Sequence, residues 1–170
     1  MMSRKKIVSL FVGGLSVLTF AVHAAEADSE TVFHKQVREK MPGLASFSQK
    51  GSRSWDLLDK DGNKLGSLHL ENIGDSQRKK GYKGPIEVAI VLNANGEICG
   101  VLVGKNQETP AFLKRVQAAG FLEKWNGMTL KKAAETDMDT VSRATFSSSA
   151  IAYGVKQLAA SLLGEEAEKR

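Results

Sequence analysis

One cysteine, three prolines, two tryptophans and two tyrosines in 170 residues leave several protein classes without material. With Cys99 alone, no intramolecular disulfide framework exists. Flanked by Ile98 and Gly100 in a strand-like run, Cys99 reads as a buried, inert thiol. The three histidines, His23, His34 and His69, lack metal-ligand spacing, so a structural zinc site has no support. No Gly-x-Ser-x-Gly elbow accompanies a Ser-His-acid set, which removes the hydrolase reading. Charge of one sign is also scarce. The chain holds 24 basic and 19 acidic residues. Three of the bases, Arg4, Lys5 and Lys6, belong to a leader, so the remainder is nearly balanced and gives no ground for nucleic-acid binding. The run Arg78-Lys79-Lys80 reads as a solvated loop.

Long apolar runs are missing too, and the one at the start has a different meaning. Ile7 to Val22 is an apolar stretch interrupted by Gly13 and Gly14, short of the ~20 residues needed to span a bilayer. Preceded by the basic triplet and followed by Val22-His23-Ala24, it has the three parts of a secretory signal peptide. Residues 1–24 are therefore expected to be removed, with cleavage after Ala24 and a soluble periplasmic product. No cysteine lies nearby to direct lipoprotein processing.

The rest is long enough for one domain with a real core. Val32, Phe33, Val37 and Met41 recur at helical spacing and predict a first helix over Thr31 to Met41, stopped by Pro42-Gly43. Arg53–Leu58 and Lys64–Leu70 flank Asp59-Lys60-Asp61-Gly62-Asn63 and read as a hairpin. The order of that turn is wrong for a calcium loop, because its glycine comes too early and no closing Glu follows. Ile86–Leu92 and Ile98–Val103 around Asn93–Glu97 predict a second antiparallel pair. Thr109 and Pro110 predict a helix start, and Leu130–Glu135 a weak helical piece. Thr140–Ala144 reads as a short extended stretch before a final helix capped by Ser147 or Ser148. Strands and helices without a regular βαβ rhythm indicate an α+β fold, an antiparallel sheet with packed helices. Residues 25–80 supply its N-terminal helix and hairpin portion, and residues 81–165 its core.

Four segments carry more specific information. The sequence Asp139-Thr140-Val141-Ser142-Arg143-Ala144-Thr145 precedes an apolar helical run. Upstream stand Gly81-Tyr82-Lys83-Gly84-Pro85-Ile86, then Glu108-Thr109-Pro110, then Phe121-Leu122-Glu123-Lys124-Trp125-Asn126-Gly127. In this order they resemble the FMN-binding domain family, which includes periplasmic subunits of Rnf and sodium-pumping NADH:quinone oxidoreductase complexes. The resemblance departs at two points, with Ala111 and Arg143 standing where glycine is usual.

That resemblance implies FMN held covalently, its phosphate esterified to Thr145 by a separate flavin transferase that reads Asp139, Ser142, Arg143 and Ala144. It places Gly81, Tyr82, Gly84, Pro85, Glu108, Thr109, Ser147 and Ser148 near the cofactor. It implies an exported electron carrier rather than a stand-alone enzyme, with a membrane quinone-linked redox complex or a cytochrome as partner. Physical chemistry adds two expectations. A phosphodiester before a helix start is favoured by unpaired N–H groups and the helix dipole. Arg143 either strains a position that prefers positive φ or offers a cation to the phosphate. Ser147, Ser148 and Ser149 serve equally as helix caps. Tyr82, Phe112, Phe121, Trp125 and Phe146 are candidate flavin walls, one or two of them in contact with the ring. The rival reading is a non-redox binding module on the same fold with a degenerate flavin site.

Overall fold

The computed structural model describes residues 32–71 and 79–168. Residues 1–24, read above as a signal peptide, and Arg78 lie outside the described residues.

Five strands follow one another through a single sheet: β1 (Ser46–Gly51), β2 (Ser54–Leu58), β3 (Lys64–Leu70), β4 (Val88–Asn93) and β5 (Ile98–Val103). Spatial order equals chain order, and each neighbouring pair is antiparallel. Helix α1 covers residues 32–40. Helices α2 (Pro110–Ala118), α3 (Leu130–Glu135) and α4 (Thr145–Glu168), with a 3-10 turn at Leu122–Trp125, complete the described elements. The fold is α+β, as the sequence indicates. Strand β1 is an addition, because Ser46-Phe47-Ser48-Gln49-Lys50-Gly51 has too little apolar alternation to announce itself.

Alternation along the strands divides the core in two. On one face Phe33 and Val37 of α1 meet Trp55, Leu57, Leu68, Leu70, Ala89, Val91 and Leu102. On the other, Val88, Ile90, Leu92, Ile98 and Val101 meet Val116, Phe121, Trp125 and the apolar side of α4. Strand β4 is therefore covered on both faces, which accounts for its unbroken apolar run. Strands β2 and β3 are apolar only toward α1. Their opposite face carries Ser54 paired with His69, and Asp56 paired with Ser67.

The turns follow from side chains that satisfy backbone donors. Asp59 Oδ1 accepts from the Asp61 and Asn63 N–H groups, both at 2.8 Å, and Asn93 Oδ1 accepts from Asn95 and Glu97. A buried ion pair fastens β2 to the approach to β4. The Arg53 guanidinium donates to Glu87 Oε1 at 3.1 Å and to the Glu71 carbonyl, while the Lys105 N–H donates to Glu87 Oε2. Gly104 makes this possible, because a Cβ there would lie 2.3 Å from the Phe33 ring and 2.6 Å from Glu87 Oε2.

Three sequence expectations change. Residues 140–144 form no strand, and α4 begins at Thr145 itself, so neither Ser147 nor Ser148 occupies its N-cap. Thr109 does sit at the N-cap of α2, with Pro110 at the first helical position, but its side chain makes no capping bond. Cys99 is half-buried rather than fully enclosed, and burial pushes its thiol up from the ordinary range.

Candidate functional site

The start of α4 is shaped by the residues before it. The Ala144 N–H donates to the Val141 carbonyl at 3.0 Å, closing a turn over Val141-Ser142-Arg143-Ala144. Arg143, third in that turn, has φ +61 and is the only non-glycine residue with positive φ among the described residues. This region favours glycine, because a Cβ crowds the following carbonyl at a cost of roughly 1–2 kcal/mol. Ser148 holds the turn against the helix. Its Oγ accepts the Val141 N–H at 3.0 Å and donates to the Ala144 carbonyl at 2.9 Å. Ala144 is buried beneath, while Asp139, Ser142, Arg143 and Thr145 are exposed. The effect is to present the Thr145 hydroxyl to solvent on the first residue of a helix, where backbone N–H groups lack intrahelical acceptors.

Glu108 ties this turn to two other segments. It is buried, and its carboxylate accepts both the Ser147 hydroxyl and the Lys83 backbone N–H, the latter at 2.7 Å. Its own N–H is fixed by Asn106 Oδ1 at 3.1 Å. The loop carrying Lys83 is closed by the Gly81 N–H, which donates to the Gly84 carbonyl at 2.7 Å. A Cβ on Gly81 would stand 2.8 Å from Glu108 Oε1, so the close approach requires glycine. One carboxylate thus joins the Gly-Tyr-Lys-Gly-Pro loop, the Glu-Thr-Pro segment and the first turn of α4.

Held this way, three rings gather beside Thr145. Tyr82 and Phe146 are 61% and 64% exposed, with centroids 6.4 Å apart. Phe112 packs edge-on to Tyr82 at 5.6 Å. Phe121 and Trp125 lie elsewhere, edge-to-face at 5.2 Å inside the core, and form no part of this surface. Pro85 is exposed on the same loop, and Thr109 is half-buried at the start of α2. The hydroxyls of Ser147 and Ser148 are committed to the fold rather than turned outward.

No described His, Cys, Asp or Glu residues group as a metal site. Thr145 also has no described basic side chain hydrogen-bonded to it, so the site lacks the parts of a self-activating nucleophile. Two hollows lie toward the other end of α4. One of about 730 Å³ is lined by Arg53, His69, Glu71, Tyr153 and Gln157 among others, and a second of about 480 Å³ by Asp56, Lys64, Ser67 and Leu130 among others. None of the four sequence landmarks reaches them. Their cause is the polar, uncovered face of β2 and β3.

Residues 81–160 match the family profile described as the FMN-binding domain, a span that begins at Gly81 and includes Glu108 and Thr145. These residues belong to the FMN-binding domain family. The match supports a flavin-binding role for residues 81–160, with FMN as the cofactor. No curated protein matches the sequence. The residues present suit FMN, whose anionic phosphate needs an anion-binding anchor and whose ring needs a partly apolar resting surface. The helix start at Thr145 is a position that favours an anion, and the exposed rings of Tyr82 and Phe146 form an apolar surface next to it. Sequence reasoning reached Thr145, Glu108 and Tyr82 through the resemblance, but not the Glu108–Ser147 tie or the pairing of Tyr82 with Phe146. Ring pairing between residues 64 positions apart leaves no local signal.

Proposed function

We propose that this protein is an exported electron carrier whose FMN is bound through a phosphoester to Thr145. The observation that carries the reading is the placement of Thr145: exposed, first in α4, beside Tyr82 and Phe146, and behind a turn pinned by Ser148. Attachment needs a separate transferase. It moves the FMN half of FAD onto the Thr145 oxygen, with AMP as the leaving group and the hydroxyl proton released to solvent. Asp139, Ser142 and Arg143 are exposed around the acceptor and available for such an enzyme to read.

When bound, FMN supplies the redox chemistry; the chain anchors it and controls its surroundings. The first N–H groups of α4 would hold the negative phosphodiester of an FMN attached at Thr145, and Arg143 would offer it a guanidinium from the same turn. Arg143 already holds the positive φ that the turn needs. The turn therefore survives the loss of the usual glycine, which weakens the case for a degenerate, non-redox site. Export to the periplasm rests on the leader pattern of residues 1–24. Exchange with a membrane quinone-linked complex or a cytochrome rests on the family resemblance.

The test is intact mass after co-expression with a flavin transferase. The expected mature species begins at Ala25 and carries one FMN less one water. Thr145→Ala is expected to lose that mass increment. An unmodified wild-type chain, or an increment retained in Thr145→Ala, contradicts the assignment.

A further inference from the structure

The aromatic surface beside Thr145 lies within the most basic part of the described chain. Residues 79–85, 104–116 and 139–149 contribute seven basic residues and two acidic ones, and one of those acids is the buried Glu108. The other described residues carry eleven basic and thirteen acidic residues. The near-neutral total thus hides a local excess of positive charge at one place. Lys80, Lys83, Lys114, Arg115 and Arg143 are all exposed there, and none takes part in a described ion pair with a carboxylate.

Exposed aromatic residues bordered by charge are the makeup of a transient protein interface, with an apolar centre and a polar rim. Tyr82 and Phe146 are two of the three large apolar side chains that stand exposed among the described residues, and they adjoin one another. We propose that the basic rim of this surface, surrounding the rings on which the flavin would rest, docks a redox partner protein whose own contact face is acidic. The cations come from three separate segments around a small aromatic centre. They do not run along one face of an amphipathic helix, which is the arrangement a lipid surface would select. Opposite charge steers such an encounter and leaves it easily reversible, as a carrier requires. This inference rests on the flavin-carrier reading for its purpose, but not for its geometry.

Two measurements test it. In the first, the apo chain is titrated with poly-L-glutamate and followed by backbone amide NMR. Shifts are expected at Tyr82, Lys83, Arg115 and Phe146, with little change at Lys35 and Lys60. High salt and the double variant Lys83→Glu/Arg115→Glu should abolish them. Shifts spread evenly over the chain, or none, would overturn the proposal. So would retention on phosphatidylglycerol vesicles with no response to poly-L-glutamate, which assigns the surface to a membrane instead.

In the second, flavin-loaded and photoreduced protein is reoxidised by ferricyanide or by a tripositive cobalt complex. Two oxidant ions accept one electron each, and two protons pass to solvent. Ferricyanide should react several-fold more slowly as salt rises from about 20 mM to about 300 mM, while the cationic oxidant speeds up. The Lys83→Glu/Arg115→Glu variant, which nearly cancels the local charge, should flatten both trends, and Lys35→Glu should leave them unchanged. Flavin loading without charge discrimination defeats the docking surface alone. Failure to load flavin defeats the carrier reading, and the NMR titration then still decides the surface.

Discussion

Helix α4 has two ends that offer opposite things. Its first turn gathers Thr145, Phe146, Ser147 and Ser148 with Glu108 and Tyr82 into one constrained surface. Its far half borders hollows of about 730 and 480 Å³, lined by polar residues with no link to the sequence landmarks. The contrast shows what each kind of feature records. Under the proposed function, the cofactor would be held by an anchor and a surface to rest on rather than by a deep pocket. The hollows instead record a sheet whose helical cover stops at β4, leaving the polar side of β2 and β3 open.

That division can be broken by mutation. The largest effect is expected at the hollow end, where Arg53 neutralises the buried Glu87. Arg53→Ala leaves that carboxylate without its cation and should lower unfolding stability by about 3–5 kcal/mol in chemical denaturation. Flavin loading of the folded fraction should stay near wild type. A loss of loading larger than the folded fraction explains would show that the two ends are not separate.

Next in size is the tie at the flavin end. Glu108→Ala strands the Ser147 hydroxyl and the Lys83 N–H, at a cost of about 1–3 kcal/mol. It should also slow flavin attachment and make the Tyr82 environment more mobile, read by the fluorescence anisotropy of bound flavin. Glu108→Gln keeps an acceptor for Lys83 and a partner for Ser147, and should restore most of both. Equal loading and anisotropy in all three proteins would reduce Glu108 to a stability residue.

A smaller change is expected at Arg143. Arg143→Gly removes the penalty of a side chain at φ +61 and should stabilise the apo protein by up to about 1 kcal/mol. Flavin should still attach, with its midpoint potential lowered by loss of the nearby cation. Unchanged stability and potential would mean that Arg143 is a solvated residue without influence on the site.

The smallest effect concerns pH at the hollow end. Burial raises the Asp56 pKa, but Lys64 at 2.6 Å and Lys50 at 3.3 Å outweigh it, so the carboxyl sits below its ordinary value. A depressed carboxylate contributes stability that is present above its unfolded pKa and is lost as pH falls through the folded value. NMR titration of Lys64→Ala should show Asp56 moving up toward the ordinary carboxylate range. No movement would remove Lys64 as a cause.

Much of the fold was readable where local rules acted alone. Asn93-Ala94-Asn95-Gly96-Glu97 marks its hairpin because Asn93 satisfies its own turn, and Pro110 marks a helix start because it needs no N–H partner. The boundary of α4 was misread because serines suit caps, whereas the structure uses Ser148 to grip the preceding turn. Strand β1 escaped notice because its pairing with β2, not its own pattern, makes it a strand. At the site, Thr145 stands in a contiguous motif and is legible there as the proposed acceptor. The tie through Glu108 spans 39 residues to Ser147, and only the folded chain reveals it.

The central claim is that the start of α4 is a covalent flavin anchor, and one measurement addresses it directly. Protein matured with a flavin transferase should be digested and the flavin-bearing peptide sequenced by tandem mass spectrometry. The account predicts FMN on Thr145, fluorescence that survives denaturation, and complete loss of both in Thr145→Ala. Flavin that washes out on denaturation of the wild-type protein, or a modification mapped to Ser142 or Thr140, would contradict it.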